Sequence, residues 1–252
     1  MPVIEKYEPG MFCWIELATS DAAASKTFYA SLFGWTAKDM PMPEGSYTML
    51  QKDGRDLGAL YQTKEIPPNW ATYIAVDNVD ASAKRAGDLG ANIVAPPFDV
   101  MDVGRMAFVV DPQGAAFALW QAKKHIGATI RDETHTLCWN ELMSPDVEAS
   151  HAFYKGLFGW NLKPSSEYTE IYVGERPAGG MMQMPPDMQG VPPSWTPYFA
   201  VEDCDATVEK AKSLGGQIYV PPTDLPSVGR FAVLADPQGA AFDVIKVAPS
   251  YA

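Results

Sequence analysis

The chain has 252 residues, and 31 acidic against 19 basic side chains give it a formal net charge of -12. That surplus repels phosphate backbones and anionic lipid, and no basic cluster larger than Lys123-Lys124 offsets it, which argues against nucleic-acid or membrane partners. No run approaches the ~18 apolar residues of a membrane span and the first residues lack a signal core, so a cytoplasmic protein is expected, with unconventional export left open.

In chain order, Phe12 to Leu17 reads as a strand, and Thr19-Ser20-Asp21 can cap a following helix. Ala24, Phe28 and Leu32 recur at helical spacing until Gly34 stops them. Two short strands, Tyr47 to Gln51 and Leu57 to Tyr61, flank a turn at Lys52-Asp53-Gly54. The order then begins again, with a strand from Ala71 to Val76, a helix from Ala81 to Leu89, and strands at Asn92 to Ala95, Arg105 to Val110 and Ala115 to Trp120.

The whole set returns at a constant offset of 125 residues. Val103 to Phe117 (VGRMAFVVDPQGAAF) and Val228 to Phe242 (VGRFAVLADPQGAAF) agree at 11 of 15 positions. Cys13-Trp14 matches Cys138-Trp139, Phe28-Tyr29 matches Phe153-Tyr154, and Trp70 and Tyr73 match Trp195 and Tyr198. Two in-register copies of this size are folded domains, here 9–123 and 134–248. Residues 124–133 are too apolar for a loose tether and are expected to pack across both. The second copy lengthens the stretch before Trp195, where Met181, Met182, Met184 and Met188 lie among prolines; this reads as a surface loop or an adaptable lid. Cys13 and Cys138 sit in apolar runs and read as buried thiols.

Helix-entry Asp21, the FY and LFGW strings after it, and the D-P-x-G turn before the last strand of each copy resemble the vicinal oxygen chelate superfamily. This is the glyoxalase, bleomycin-resistance and extradiol-dioxygenase group. The strings CWNEL (Cys138 to Leu142), HIGAT (His125 to Thr129) and SVGRFAVLADPQGA (Ser227 to Ala240) are similar to a two-domain actinobacterial branch, which includes a mycobacterial culture-filtrate antigen and proteins described as hydroxylases. The resemblance implies an α+β protein of four βαβββ modules, forming two tandem glyoxalase-like domains with curved mixed sheets around a cavity. Members that do chemistry hold a divalent metal at four inward positions. Carried over, these fall on Trp14, Ala71, Ala118 and the stretch Gly58 to Tyr61, and in the second copy on Trp139, Thr196, Asp243 and Gly180 to Met182. One aspartate among them is short of the three or more protein ligands such a site needs, so no cofactor is expected, with a divalent metal kept as the alternative. His125, His135 and His151 fall elsewhere and read as structural or surface histidines.

Strand alternation puts Cys13, Ile15 and Leu17 toward the helix and leaves Trp14 and Glu16 on the concave face, repeated as Trp139 and Glu141. The structural alternative pairs each glutamate with the arginine of its own V-G-R, Arg105 or Arg230. The functional reading makes Trp14, Tyr73, Trp120, Trp139 and Tyr198 aromatic walls of a binding site that also takes in Arg105, Arg230 and Asp243. Glu16 or Glu141 then orients a ligand amine or acts as general acid or base. Asp243 stands where the first copy has Ala118, so the two cavities need not be equivalent, and a single working one would be that of Asp243. The expected function is metal-independent binding of a small aromatic or cationic molecule, with a superfamily enzyme (lyase, dioxygenase or hydroxylase-like) as the alternative. A monomer is expected first, since the chain supplies its own second copy, and a homodimer second.

Overall fold

The run FCWIELAT is apolar at nearly every position, a composition suited to a strand covered on both faces. In the computed structural model, which describes residues 4–42, 45–188 and 190–248, it forms β1 (Phe12–Thr19), buried along its full length. Asp21 caps α1 (Ala22–Phe33) by accepting the Ala24 N–H, and Gly34 ends it in the left-handed conformation. Next come β2 (Thr36–Pro41), β3 (Ser46–Lys52) and β4 (Arg55–Gln62). β2 has no counterpart in the sequence reading. It is an edge strand, exposed almost throughout and paired only with β3, so no apolar alternation marks it.

The second module repeats the plan with β5 (Asn69–Ala75), α2 (Val79–Asp88), β6 (Asn92–Val100), β7 (Gly104–Val110) and β8 (Ala116–Ala122). The second copy supplies β9 (Leu137–Ser144), α3 (Val147–Phe158), β10 (Asn161–Pro164), β11 (Tyr168–Val173) and β12 (Arg176–Gln183). It ends with β13 (Ser194–Ala200), α4 (Cys204–Ser213), β14 (Gln217–Leu225), β15 (Gly229–Ala235) and β16 (Ala241–Val247). The methionine stretch is only partly a loop. Met181 and Met182 belong to β12, with Met181 fully buried, while Met184 and Met188 lie beyond its end. No helix among the described residues is long and apolar enough to cross a membrane.

Each copy makes one open, mixed eight-stranded sheet, ordered β2-β3-β4-β1-β5-β8-β7-β6 and β10-β11-β12-β9-β13-β16-β15-β14. The modules join through the antiparallel pairs β1–β5 and β9–β13, so the first strand of every module lies at the centre of a sheet. The helix-bearing faces meet between the copies, and each buried cluster draws on both. Ile15, Phe28, Tyr29 and Trp35 pack with Phe199, Val208 and Phe242, and Val79, Ala83 and Phe117 pack with Phe153, Tyr154 and Trp160.

The repeated motifs find their partners across this interface. Asp111 and Asp236 each close their own D-P-Q-G turn by accepting two backbone N–H groups. Each carboxylate then accepts the tyrosine hydroxyl of the other copy's F-Y, Tyr154 to Asp111 at 2.9 Å and Tyr29 to Asp236 at 3.2 Å. Asn140, which breaks the apolar pattern of β9, accepts a hydrogen bond from Thr72 of the other sheet at 2.9 Å. The segment between the copies is tied to both. Ala128 donates to the Cys13 carbonyl and the Arg131 guanidinium reaches the Phe12 carbonyl in the first copy, while Asp132 donates its N–H to the Leu137 carbonyl and its carboxylate accepts from Arg176 in the second.

Candidate functional site

The opposite, helix-free face of each sheet carries Trp14 and Glu16 on β1 and Trp139 and Glu141 on β9. Ladder register builds the rest: Glu16 lies between Ala59 and Ala71, and Trp14 beside Tyr73, which in turn pairs with Ala118. In the second sheet Glu141 lies between Gly180 and Thr196, and Trp139 beside Tyr198, which pairs with Asp243. Trp120 faces the same side as Tyr73, with ring centroids 6.3 Å apart.

Glu16 is only 8 % exposed and its carboxylate is held by two phenols, Tyr47 at 2.6 Å and Tyr73 at 2.9 Å. The Trp14 indole N–H reaches the Tyr47 hydroxyl at 3.4 Å. The second copy repeats the set: Tyr198 donates to Glu141 at 3.0 Å, Tyr168 also hydrogen-bonds it, and Trp139 donates to the Tyr168 hydroxyl at 2.8 Å. Burial pushes both glutamates above the usual carboxylate range, and the phenols pull them part of the way back. Burial and the adjacent carboxylate keep Tyr73 and Tyr198 protonated, as donors.

The arginines are not part of this set. Arg105 lies on the helix side, bonded to Asp80 at 2.9 Å and close to Asp99, and Arg230 to Asp205 and Asp224. Met106 and Phe108 take the helix-free face of β7, so alternation turns Arg105 away from Glu16 and forbids the expected glutamate–arginine pair. Tyr47 and Tyr168 escaped the sequence reading because loop shortening changes their offset from 125 to 121 residues. Their signal was the repeated Tyr-Thr, Tyr47-Thr48 and Tyr168-Thr169, opening equivalent strands.

The two faces differ in exposure and in their carboxyl groups. The first is filled: Trp14, Tyr73 and Trp120 are buried, and His125 from the connecting segment sets its ring edge-on to Trp14 at 4.7 Å. Its backbone carbonyl also accepts the Trp120 indole N–H. In the second, Ile245 replaces Trp120, and Trp139, Glu141, Tyr168, Met182 and Thr196 are all half-exposed. Asp243 lies deep beside them, 3 % exposed, with its Oδ1 lacking any hydrogen-bond partner. Desolvation and the neighbouring Glu141 charge raise its carboxyl well above the usual range.

The donor set fits a resident divalent metal on neither face. Glu16 is flanked by Ala59 and Ala71, with Ala118 beside Tyr73; in the second sheet Glu141 and Asp243 lie at the centre, and Glu170, two strands from Glu141, is bonded by the Tyr172 hydroxyl. Among the described residues no three His, Cys, Asp or Glu side chains come together. His151 is bonded to Thr169 on the helix side and His135 packs on Phe33.

Paired βαβββ modules with a ligand-type face at the centre of an open sheet define a glyoxalase-type protein. The family model described as "Glyoxalase/Bleomycin resistance protein/Dioxygenase superfamily" matches residues 12–119 and 134–244, and the chain belongs to that superfamily. It is 45 % identical over 261 residues to the "Putative glyoxylase CFP32" of Mycobacterium tuberculosis, covering 99 % of each chain. It is 34 % identical over 270 residues to the "Anthracycline biosynthesis protein DnrV" of Streptomyces peucetius, covering 98 % of this chain and 96 % of that one. In fold it is similar to the Mn(II)-bound glyoxalase from Novosphingobium aromaticivorans, with a TM-score of 0.66 at 14 % identity over 94 % of this chain and 82 % of the other.

Proposed function

We propose that the protein binds a small aromatic or cationic molecule on the helix-free face of its second domain, without a metal. The observation that supports this most is the partly exposed Trp139–Tyr168–Glu141 group over the buried Tyr198; the Glu141 carboxylate has phenolic and, among the described residues, no basic hydrogen-bond partners. Aromatic walls stack flat ligands, and a desolvated acceptor orients a donor group. The first domain keeps the same four residue types with its face closed by His125 and Trp120, and acts as scaffold. Arg105 and Arg230 are left out of the ligand site. Resemblance to an anthracycline biosynthesis protein agrees with a flat polycyclic ligand.

The test is a screen of aromatic compounds by thermal shift in the presence of a chelator. Ligands should raise the melting temperature, as mass action requires, and quench tryptophan fluorescence in a manner lost with Trp139→Ala. A broad screen without any shift, or stoichiometric transition metal in protein purified without chelator, counts against the reading.

The raised carboxyl of Glu141 also favours a second reading, an enzyme that moves a proton without a metal. In that case Glu141→Gln abolishes turnover while circular dichroism and melting stay those of the parent.

A further inference from the structure

Two carboxyls stand on the second face where the first has none: Glu170, opposite Gly180 in the place of Met49, is bonded by the Tyr172 hydroxyl, whereas Asp243 is buried. Its counterpart is Ala118, buried in the same register beside Tyr73 as Asp243 is beside Tyr198. A methyl group there needs no partner, whereas a carboxyl shut away from water needs at least one for each oxygen. Asp243 Oδ1 has none.

The neighbours make this worse. Glu141 is near enough for its charge to act on Asp243, and both carboxyls face Tyr198. No Lys, Arg or His hydrogen-bonds either carboxyl among the described residues. Arg230, the arginine of this copy's V-G-R, is spent on Asp205 and Asp224 on the other side of the sheet. Two acids and one orphaned oxygen are thus left without a cation, and a divalent ion lacks the third protein ligand it requires. A protonated amine needs only what is present: N–H donors aimed at two or three oxygen acceptors, and one positive charge for the acidic pair.

We infer that the second domain's face is a site for a protonated primary amine on an aromatic scaffold, the ammonium seated between Glu141 and Asp243 and the ring against Trp139. The inference rests on the binding reading above and narrows its ligand class to cations. Entry is from the Glu141 side, where Trp139, Tyr168 and Met182 are half-exposed. The first domain, with Ala118 and a closed face, does not bind the same compounds.

Isothermal titration calorimetry of the full chain with phenethylamine and tryptamine, each against its alcohol isostere (phenylethanol and tryptophol), tests this. The amines should bind about tenfold or more tighter than the alcohols, the worth of one charge-assisted hydrogen bond. In Asp243→Ala and in the shape-preserving Asp243→Asn, which leave Glu141 in place, the ratio of amine to alcohol affinity should fall several-fold. Equal affinity of amine and alcohol for the parent protein overturns the amine inference and leaves aromatic binding standing. An amine preference undiminished by either substitution overturns the assignment to Asp243. Failure of all four compounds to bind overturns the inference together with the reading beneath it.

Discussion

At the residue scale, the buried acids set how stability responds to pH. Asp243 in β16 faces Glu141 of β9, Tyr198 of β13 and, through Glu141, Tyr168 of β11. Its folded carboxyl holds a proton more tightly than the unfolded one, whose ordinary value is 3.8. The folded state therefore binds more protons over the interval above that value, and stability falls as pH rises through it. Asp243→Asn should stabilise the protein at neutral pH by about 1 kcal/mol or more, raising Tm by roughly 2–4 °C, and flatten melting temperature against pH. An unchanged pH profile in that variant would show that the burden lies elsewhere.

At the scale of the element, β12 shows how a strand position is set by the side chain beside it. A Cβ on Gly180 would overlap the Tyr168 hydroxyl, so this position must stay bare for the Trp139–Tyr168–Glu141 group to close. Gly180→Ala should cost about 1–3 kcal/mol by overpacking and weaken ligand binding as well, checked by thermal melting and calorimetry of the same sample. The equivalent Ala59 carries its methyl, and there the indole–phenol hydrogen bond is longer. Helix entry is simpler. Asp21, Asn78, Asp146 and Asp203 cap their helices in the same way, and Asp21→Ala should lose about 1 kcal/mol in a urea titration.

At the scale of the whole molecule, the copies are interlocked rather than strung together. Trp70 donates to Tyr29 and Tyr29 to Asp236, while Trp195 donates to Tyr154 and Tyr154 to Asp111. Tyr29→Phe or Tyr154→Phe leaves a buried carboxylate oxygen and an indole N–H unpaired, and each should cost about 1–3 kcal/mol. Because both clusters draw on both copies, the chain should unfold in one urea transition. Residues 134–248 expressed alone should not be a stable monomer by light scattering, and a folded monomeric half would refute the interlocking.

The sequence alone determined the duplication, the module order, the helix caps and the Trp-x-Glu strand, because each is written in local periodicity or in a fixed offset. It did not determine what the glutamates touch. Facing Arg105 and Glu16 to opposite sides is a property of the β1 and β7 registers, and bringing Tyr47 and Tyr168 to the carboxylates depends on β3 and β11, strands whose offset had slipped. Nor did it show that the F-Y and D-P-x-G motifs are partners across copies, since a hydrogen bond between Tyr29 and Asp236 joins residues 207 positions apart. Asp243 was visible as a difference between twins. That its Oδ1 is buried without a partner beside Glu141 follows only from the packing of β9, β13 and β16, where burial turns an ordinary substitution into an unsatisfied carboxyl.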